Sequence, residues 1–319
     1  MIVTSPLFDA YLDCDTKCWL RAHAEPGNGN AYAEWARRKN EAYYEDARKR
    51  WFARFPEKGR VIAPSISRDA KDATWRVAAD VRLQTNGLES RLQAVEKMSP
   101  GLDRTVQFIP YRFQFANKLI KNDKLLLAFD ALVLSGAMGC KVSFGNIIHG
   151  DGHATSKVKL SSLVSAVRKE VAGLVALLAT DSPPELVLNR HCGQCEFQAR
   201  CRTRATEKDD LSLLSGISEK ERRTLHNRGI FTVTQLSYTF RPRRRRRKLP
   251  NKHEKFHHSL RALAIRENKI HAVDILDPKL DGTPVYLDVE GLPDRDFYYL
   301  DRHSHRNRRC CCSAQLLGR

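Results

Sequence analysis

No run in this 319-residue chain is long and apolar enough to cross a membrane, which takes about 20 residues. The best candidates, 125–134 (interrupted by Asp130) and 171–179, are too short. The opening MIVTSPLFDAYLDCD lacks the basic-then-apolar pattern of a secretory signal. There is no collagen period and no solenoid repeat. A cytoplasmic location is therefore expected, where thiols stay reduced. The nine cysteines, an odd number, then read as metal ligands or single thiols rather than a disulfide framework.

Positive charge, by contrast, is abundant. Lys plus Arg total 55 against 37 Asp plus Glu, a formal charge of +18 with pI near 9.7. That balance points to a polyanionic partner, nucleic acid ahead of an anionic membrane. An apolar fraction of 42% is enough for packed cores, and the length suggests roughly two domains.

Strand and helix patterns interleave, the mark of an α/β chain. A helix is expected over 31–54, where Tyr32, Trp35, Tyr43, Ala47 and Trp51 recur near helical spacing. Strands are expected over 74–83 and 105–115, a buried helix over 123–138, a hairpin over 140–151 and a second long helix over 160–180, stopped by Pro183 and Pro184. Residues 209–239 carry a two-helix pattern, and 241–248 are a basic run. From 241 to 261 there are ten Lys or Arg against one acid, Glu254. A short helix over 257–268 and a strand over 282–293 follow. The tail from 301 shows no periodicity.

The sharpest pattern is HCGQCEFQARC. Cys192 and Cys195 form a CxxC, and Cys201 follows, so a turn and a helix start can aim three sulfurs at one point. Cys14 is the best fourth ligand, with Cys18 second. Four thiolates suit structural zinc or an iron–sulfur cluster, and spacing does not separate the two. Cys140 reads as a core thiol, and the run at 310–312 as accidental.

These features carry a resemblance. SPLFDAYLDCDTKCWL, the helix holding Glu41 and the closing CGQCEFQARC resemble the RecB-like (restriction-endonuclease-like, PD-(D/E)XK) nucleases with a [4Fe–4S] cluster, over roughly 1–205. The resemblance implies Cys14, Cys192, Cys195 and Cys201 as cluster ligands. It also implies a metal-binding Asp on one strand and Glu-x-Lys on the next, holding Mg²⁺ or Mn²⁺ to polarise phosphate and activate water. This chain departs from that core. Gln93 stands at the Asp position, Ala116 at the Glu position, and only Glu41 and Lys118 remain. Asp80 and Asp123 replace them only in a shifted alignment. The helix KLLLAFDALVL also lacks the usual Gln and Tyr.

LSLLSGISEKERRTLHNRGIFTVTQLS resembles a helix-hairpin-helix, whose glycine-containing turn offers backbone N–H groups to a phosphate. Gly229 would stop the first helix, and Thr232 or Thr234 would cap the second. Lys220, Arg222, Arg223 and Arg228 are the expected phosphate contacts, joined by Arg243, Arg244, Arg245, Arg246 and Arg247 of the basic run. GTPVYLDVEGLPDRDFYYL resembles the first motif of RNase H-like DEDD exonucleases, with Asp288 and Glu290 on one face of a strand as Mg²⁺ or Mn²⁺ ligands. The order of parts is similar to a bacterial RecB-like family with an appended exonuclease domain. After Glu290 only 29 residues remain, too few for that domain, as truncation or a frameshift would produce.

The expected organisation is a RecB-like domain at 1–207, a helix-hairpin-helix module with a basic arm at 208–269, and a truncated RNase H-like segment at 270–319. Three functions stay open: a nuclease crippled by truncation, a non-catalytic nucleic-acid-binding scaffold (DNA ahead of RNA), and a zinc-binding interaction module. Glu41→Ala and the identity of the bound metal separate them.

Overall fold

The computed structural model describes residues 2–64, 74–98, 106–241, 258–270, 285–292, 297–307 and 310–316, the last three as backbone only. The chain forms a mixed α/β fold divided into two compact units. The first comprises Met1–Ala24, Glu34–Ser182 and Lys279–Arg319. The second comprises Glu25–Ala33 and Pro183–Pro278. The cysteine segment 192–201, read from sequence with the first domain, thus groups with the helical unit.

The first unit opens with β1 (Val3–Thr4), α1 (Ser5–Asp13) and α2 (Asp15–Ala22). Thr4 Oγ1 accepts the Leu7 N–H at 3.4 Å, and Pro6 stands in the first turn, so α1 starts where its orphan donors have partners. Helix α3 (Ala31–Phe52) lays Tyr43, Ala47 and Trp51 on one face at helical spacing. The sheet is built from β2 (Arg60–Ile62), β3 (Val77–Thr85), β4 (Leu88–Met98), β5 (Gln107–Gln114), β6 (Phe144–His149) and β7 (Ala154–Lys159). They lie in that spatial order, with β1 parallel to β4. Strands β3, β4 and β5 form an antiparallel meander. Helix α4 (Lys121–Met138) then crosses over to place β6 parallel to β5, as a parallel pair requires. The hairpin expected over 140–151 forms slightly later, as β6–β7 turning at 150–153. Helix α5 (Val164–Leu178) ends before the Pro pair.

Each face of the sheet is buried. One cluster joins α1, α4 and α5 to Val81, Leu83, Leu92 and Ile147. The other joins α3 to Val77, Ala79, Ala94, Tyr111 and Phe113, around Trp51. Burying a side chain of that size contributes about 2–3 kcal/mol.

One polar group lies inside the first cluster. Asp130, which broke the apolar run in the sequence, is 1% exposed. Its carboxylate accepts from Ser90 Oγ (2.6 Å) and Ser5 Oγ (3.4 Å) and lies 2.8 Å from Arg112 Nε. Burial pushes its pKa up, while Arg112 and the two serines pull it down.

Strands β8 (Val285–Leu292), β9 (Phe297–Asn307) and β10 (Cys310–Leu316) form a separate antiparallel sheet within the first unit. The strand expected over 282–293 is thus paired, and the tail from 301, which shows no periodicity in the sequence, lies largely in β9 and β10. Adjacent antiparallel segments pair through backbone groups, which needs no side-chain periodicity.

The second unit holds α6 (Gln198–Glu207), α7 (Glu219–His226), α8 (Val233–Ser237) and α9 (His258–Glu267). Its core is small: Leu211, Leu214, Val233, Leu236 and Ala262 are buried, with Ile217, Leu225 and Ile230 packed around them. Ser218 and Glu221 make a reciprocal capping box on α7, and Thr232 with Gln235 makes another on α8.

Candidate functional site

The meander is where a RecB-like core would carry its carboxylates, and its geometry is irregular at that point. Asp80 has a φ of 55°, in the left-handed region, in the middle of β3. The ladder pairs Ala79 with Ala94 and Val81 with Leu92, and skips Asp80 and Gln93. The inside-out alternation reverses there. Val77 and Ala79 face α3, whereas Val81 and Leu83 face α1 and α4.

At this break the polar side chains are held by internal partners. Asp80 lies 2.9 Å from Arg48 on α3 and 2.9 Å from Arg91 on β4. Gln93 Oε1 accepts the Phe113 N–H at 2.6 Å, replacing a ladder bond where β5 leaves β4. The Tyr44 hydroxyl donates to the Gln93 carbonyl at 3.2 Å. Its pKa is raised by burial and then by the charge of Asp80. Glu41 lies exposed on α3, 2.9 Å from Arg37 one turn away. Lys118 is exposed in the segment between β5 and α4. Asp123 caps α4 by accepting the Ile120 N–H at 2.8 Å, and burial raises its pKa. Where the resemblance implies a divalent ion, the chain thus has the Gln93 amide, Ala116, an exposed Glu41 and an exposed Lys118, and the Asp80 of a shifted alignment is ion-paired.

The cysteines divide between the units: Cys14 belongs to the first, and Cys192, Cys195 and Cys201 to the second. Cys192 closes a 3-10 turn, Arg190–Gln194, started by Asn189. Its Sγ accepts the Asn189 N–H at 3.3 Å, and Cys195 Sγ accepts the Phe197 N–H at 3.4 Å. Backbone amides aimed at sulfur are also the contacts that sulfurs of cysteine-ligated clusters receive. Three thiols in one short segment, two of them so supported, fit a cluster or zinc in kind. Among the described residues, no group of three His, Cys, Asp or Glu side chains is already drawn together to hold an ion. Cys18 is a different case. It is fully buried on α2, donates to the Leu7 carbonyl, and burial with Asp15 pushes its pKa up to about 12. It is a packed thiol, and Cys140 likewise packs against the first core.

Sequence reasoning passed over the residue that braces the cysteine turn. Asn30, in the PGNGN loop, accepts the Tyr32 and Ala33 N–H groups and so caps α3. Its Nδ2 donates to the carbonyl of Gly193 (3.1 Å) and to Gln198 Oε1 (2.9 Å), and lies 3.4 Å from the Cys195 carbonyl. Beside it, a Cβ on Gly27 would come within 2.9 Å of Glu196 Cβ, so only glycine allows this approach. The available signal was the Gly/Asn spacing of residues 26–30.

The α7–α8 turn corrects two expectations. Gly229 does stop α7, with a φ of 76°, but the turn has no N–H group left for a phosphate. The N–H groups of Gly229 and Ile230 bond to His226 and Leu225 carbonyls, and those of Phe231 and Thr232 to Gln235 Oε1. Val233 N–H bonds to the Asp209 carbonyl, Thr234 N–H to Asp209 Oδ2 at 2.8 Å, and Gln235 N–H to Thr232 Oγ1. Asp209 thus supplies from within the chain the anion that a phosphate would be. Arg222 is the second correction. It is 6% exposed and sits 2.6 Å from Glu185, because its place in α7 faces inward. Arg223 pairs with Glu219, while Lys220 and Arg228 are exposed. Arg243 to Arg247 lie outside the described residues.

Asp288 and Glu290 fall two apart on β8, opposite Arg302 and Leu300 of β9, with a register shift directly after Glu290. No helix among the described residues is long and apolar enough to cross a membrane.

No known family matches the chain. No curated protein matches it either. Among solved structures, a crystal structure of SSO0001 aligns with 39% of this chain and 58% of that one, at 14% identity and a TM-score of 0.24. The chain therefore spans well under two thirds of that protein, and a likeness this slight carries no argument.

Proposed function

We propose that this chain is a nucleic-acid-binding protein on a RecB-like scaffold whose first unit has lost metal-dependent hydrolysis. One observation carries the reading: at the meander break, Gln93 caps the Phe113 amide and Asp80 lies between two guanidinium groups. A divalent ion there would have to displace both cations from Asp80 and would gain no second carboxylate from Gln93. The charge of +18 supports a polyanionic partner, DNA ahead of RNA.

Cys192, Cys195 and Cys201 are the ligands of a metal centre in the second unit, a [4Fe–4S] cluster by the resemblance and zinc as the alternative. The fourth ligand implied by the resemblance, Cys14, is tested by its serine variant. The centre supplies structural closure.

A second reading rests on β8, whose Asp288 and Glu290 stand at the i, i+2 spacing of a carboxylate pair for Mg²⁺ or Mn²⁺. It predicts hydrolysis of DNA that Asp288→Asn abolishes.

Titration of labelled DNA with the full chain tests the main reading. Affinity should fall at least tenfold as salt rises from about 50 to 200 mM, because neutralised phosphates release counterions. Salt-independent binding would remove the electrostatic basis. Mg²⁺-dependent cleavage lost in Glu41→Ala would make the first unit an enzyme.

A further inference from the structure

With the turn amides of α7–α8 all bonded internally, a nucleic acid must be held on the second unit by other groups. Two aromatic rings stand out there. Phe231, at the turn, is 54% exposed, and Tyr238, one short helix later, is 72% exposed. Both are held in place. The Phe231 N–H is fixed by Gln235 Oε1 at 2.7 Å, and its ring packs on His226 at 5.2 Å. The Tyr238 ring lies 4.2 Å from the Arg266 guanidinium, which is itself tied to Ser237 Oγ at 2.9 Å.

We infer that Phe231 and Tyr238 are stacking platforms for the bases of single-stranded nucleic acid. The inference rests on the nucleic-acid-binding reading and names its substrate class. Three points carry it. A ring backed on one side and open on the other accepts a base at little ordering cost, because its own side chain is already fixed. Arg266 on Tyr238 adds a cation to one stack, and Lys220 and Arg228 on α7 and its turn are exposed cations of the same unit. Only unpaired bases present a free face, so a duplex cannot use these rings. Neither ring belongs to the buried core of the unit, so neither is needed to close it.

The test is fluorescence anisotropy of the full chain with three labelled probes: oligothymidine, an abasic strand of the same length, and a duplex. Phe231→Ala should weaken oligothymidine binding about tenfold and leave the abasic strand unchanged, since stacking accounts for roughly that much per base. Phe231→Leu should behave like Ala, and Phe231→Tyr should restore binding. Tyr238→Ala should repeat the pattern. If both alanine variants bind oligothymidine as the wild type does, stacking is wrong and the nucleic-acid reading stands. Equal loss on all three probes also overturns stacking, because it marks a change in fold or charge. If the wild type binds none of the three, the nucleic-acid reading fails and this inference falls with it.

Discussion

The two units handle polar groups in opposite ways. In the first, charged side chains are matched across elements and withdrawn from solvent: Asp130 with Arg112, and Asp80 with Arg48 and Arg91. The sheet core on both faces is large enough to enclose such pairs. In the second, the buried cluster is five residues, Cys195 and Phe197 are buried outside it, and Phe231, Tyr238 and most cations are exposed. A unit with so small a core needs a further tie, and a metal centre is the kind of tie its cysteines suggest. Internal pairing thus occupies the charged groups of the first unit, while the second leaves aromatic and cationic side chains exposed.

The largest expected effect would break this contrast at the proposed metal centre. Cys192→Ser or Cys195→Ser should remove nearly all iron and sulfide from anaerobically purified protein. Hydrogen exchange should then accelerate in 183–241 and not in the sheet. The wild type should carry about four irons and four sulfides. Zinc without sulfide would discard the cluster and keep the cysteine tie.

Next in size is Asp130→Ala. It leaves Arg112 without its buried partner and should destabilise the first unit by about 3–5 kcal/mol in urea unfolding. A loss near zero would show that the pair does not hold the sheet to α4.

Asn30→Ala should bind metal at first and lose it several-fold faster to a chelator, because the Cys192–Cys195 turn loses its brace. An unchanged loss rate would reduce Asn30 to a cap for α3.

A smaller effect is expected from Asp9, whose pKa is raised first by burial and then by Asp13. A raised carboxyl favours folding below its ordinary value near 3.8 and loses that contribution as pH rises through the raised value. Asp9→Asn should therefore raise the thermal midpoint slightly at pH 7 and flatten its decline between acid and neutral pH. A lower midpoint at pH 7 would contradict the sign.

The smallest effect belongs to Glu41→Ala. An exposed pair within one helix should change stability by no more than about 0.5 kcal/mol, and DNA affinity and any cleavage should be unaffected.

Much of the frame was legible in the chain. The spacing of Tyr43, Ala47 and Trp51 predicted the buried face of α3, and the run around Asp130 predicted α4. The stop at Gly229 and a threonine cap, Thr232 of the two expected, placed the two short helices, whereas the Ser218 cap on α7 was not foreseen. These are local signals, carried by period and by the backbone needs of helix ends.

What the sequence determined by itself, then, is the alternation of elements and the excess of positive charge. The tertiary structure alone decided how the polar groups are used: that Asp80 meets two arginines, that Arg222 turns inward to Glu185, that Asp209 takes the place of a phosphate, and that Asn30 reaches the cysteine turn. Those partners lie from 11 to 168 residues apart along the chain: Arg91 is 11 from Asp80, Thr234 is 25 from Asp209, Glu185 is 37 from Arg222 and Gln198 is 168 from Asn30. Propensity and spacing act over a few residues, whereas a charge is matched by whatever the fold brings within a few ångströms.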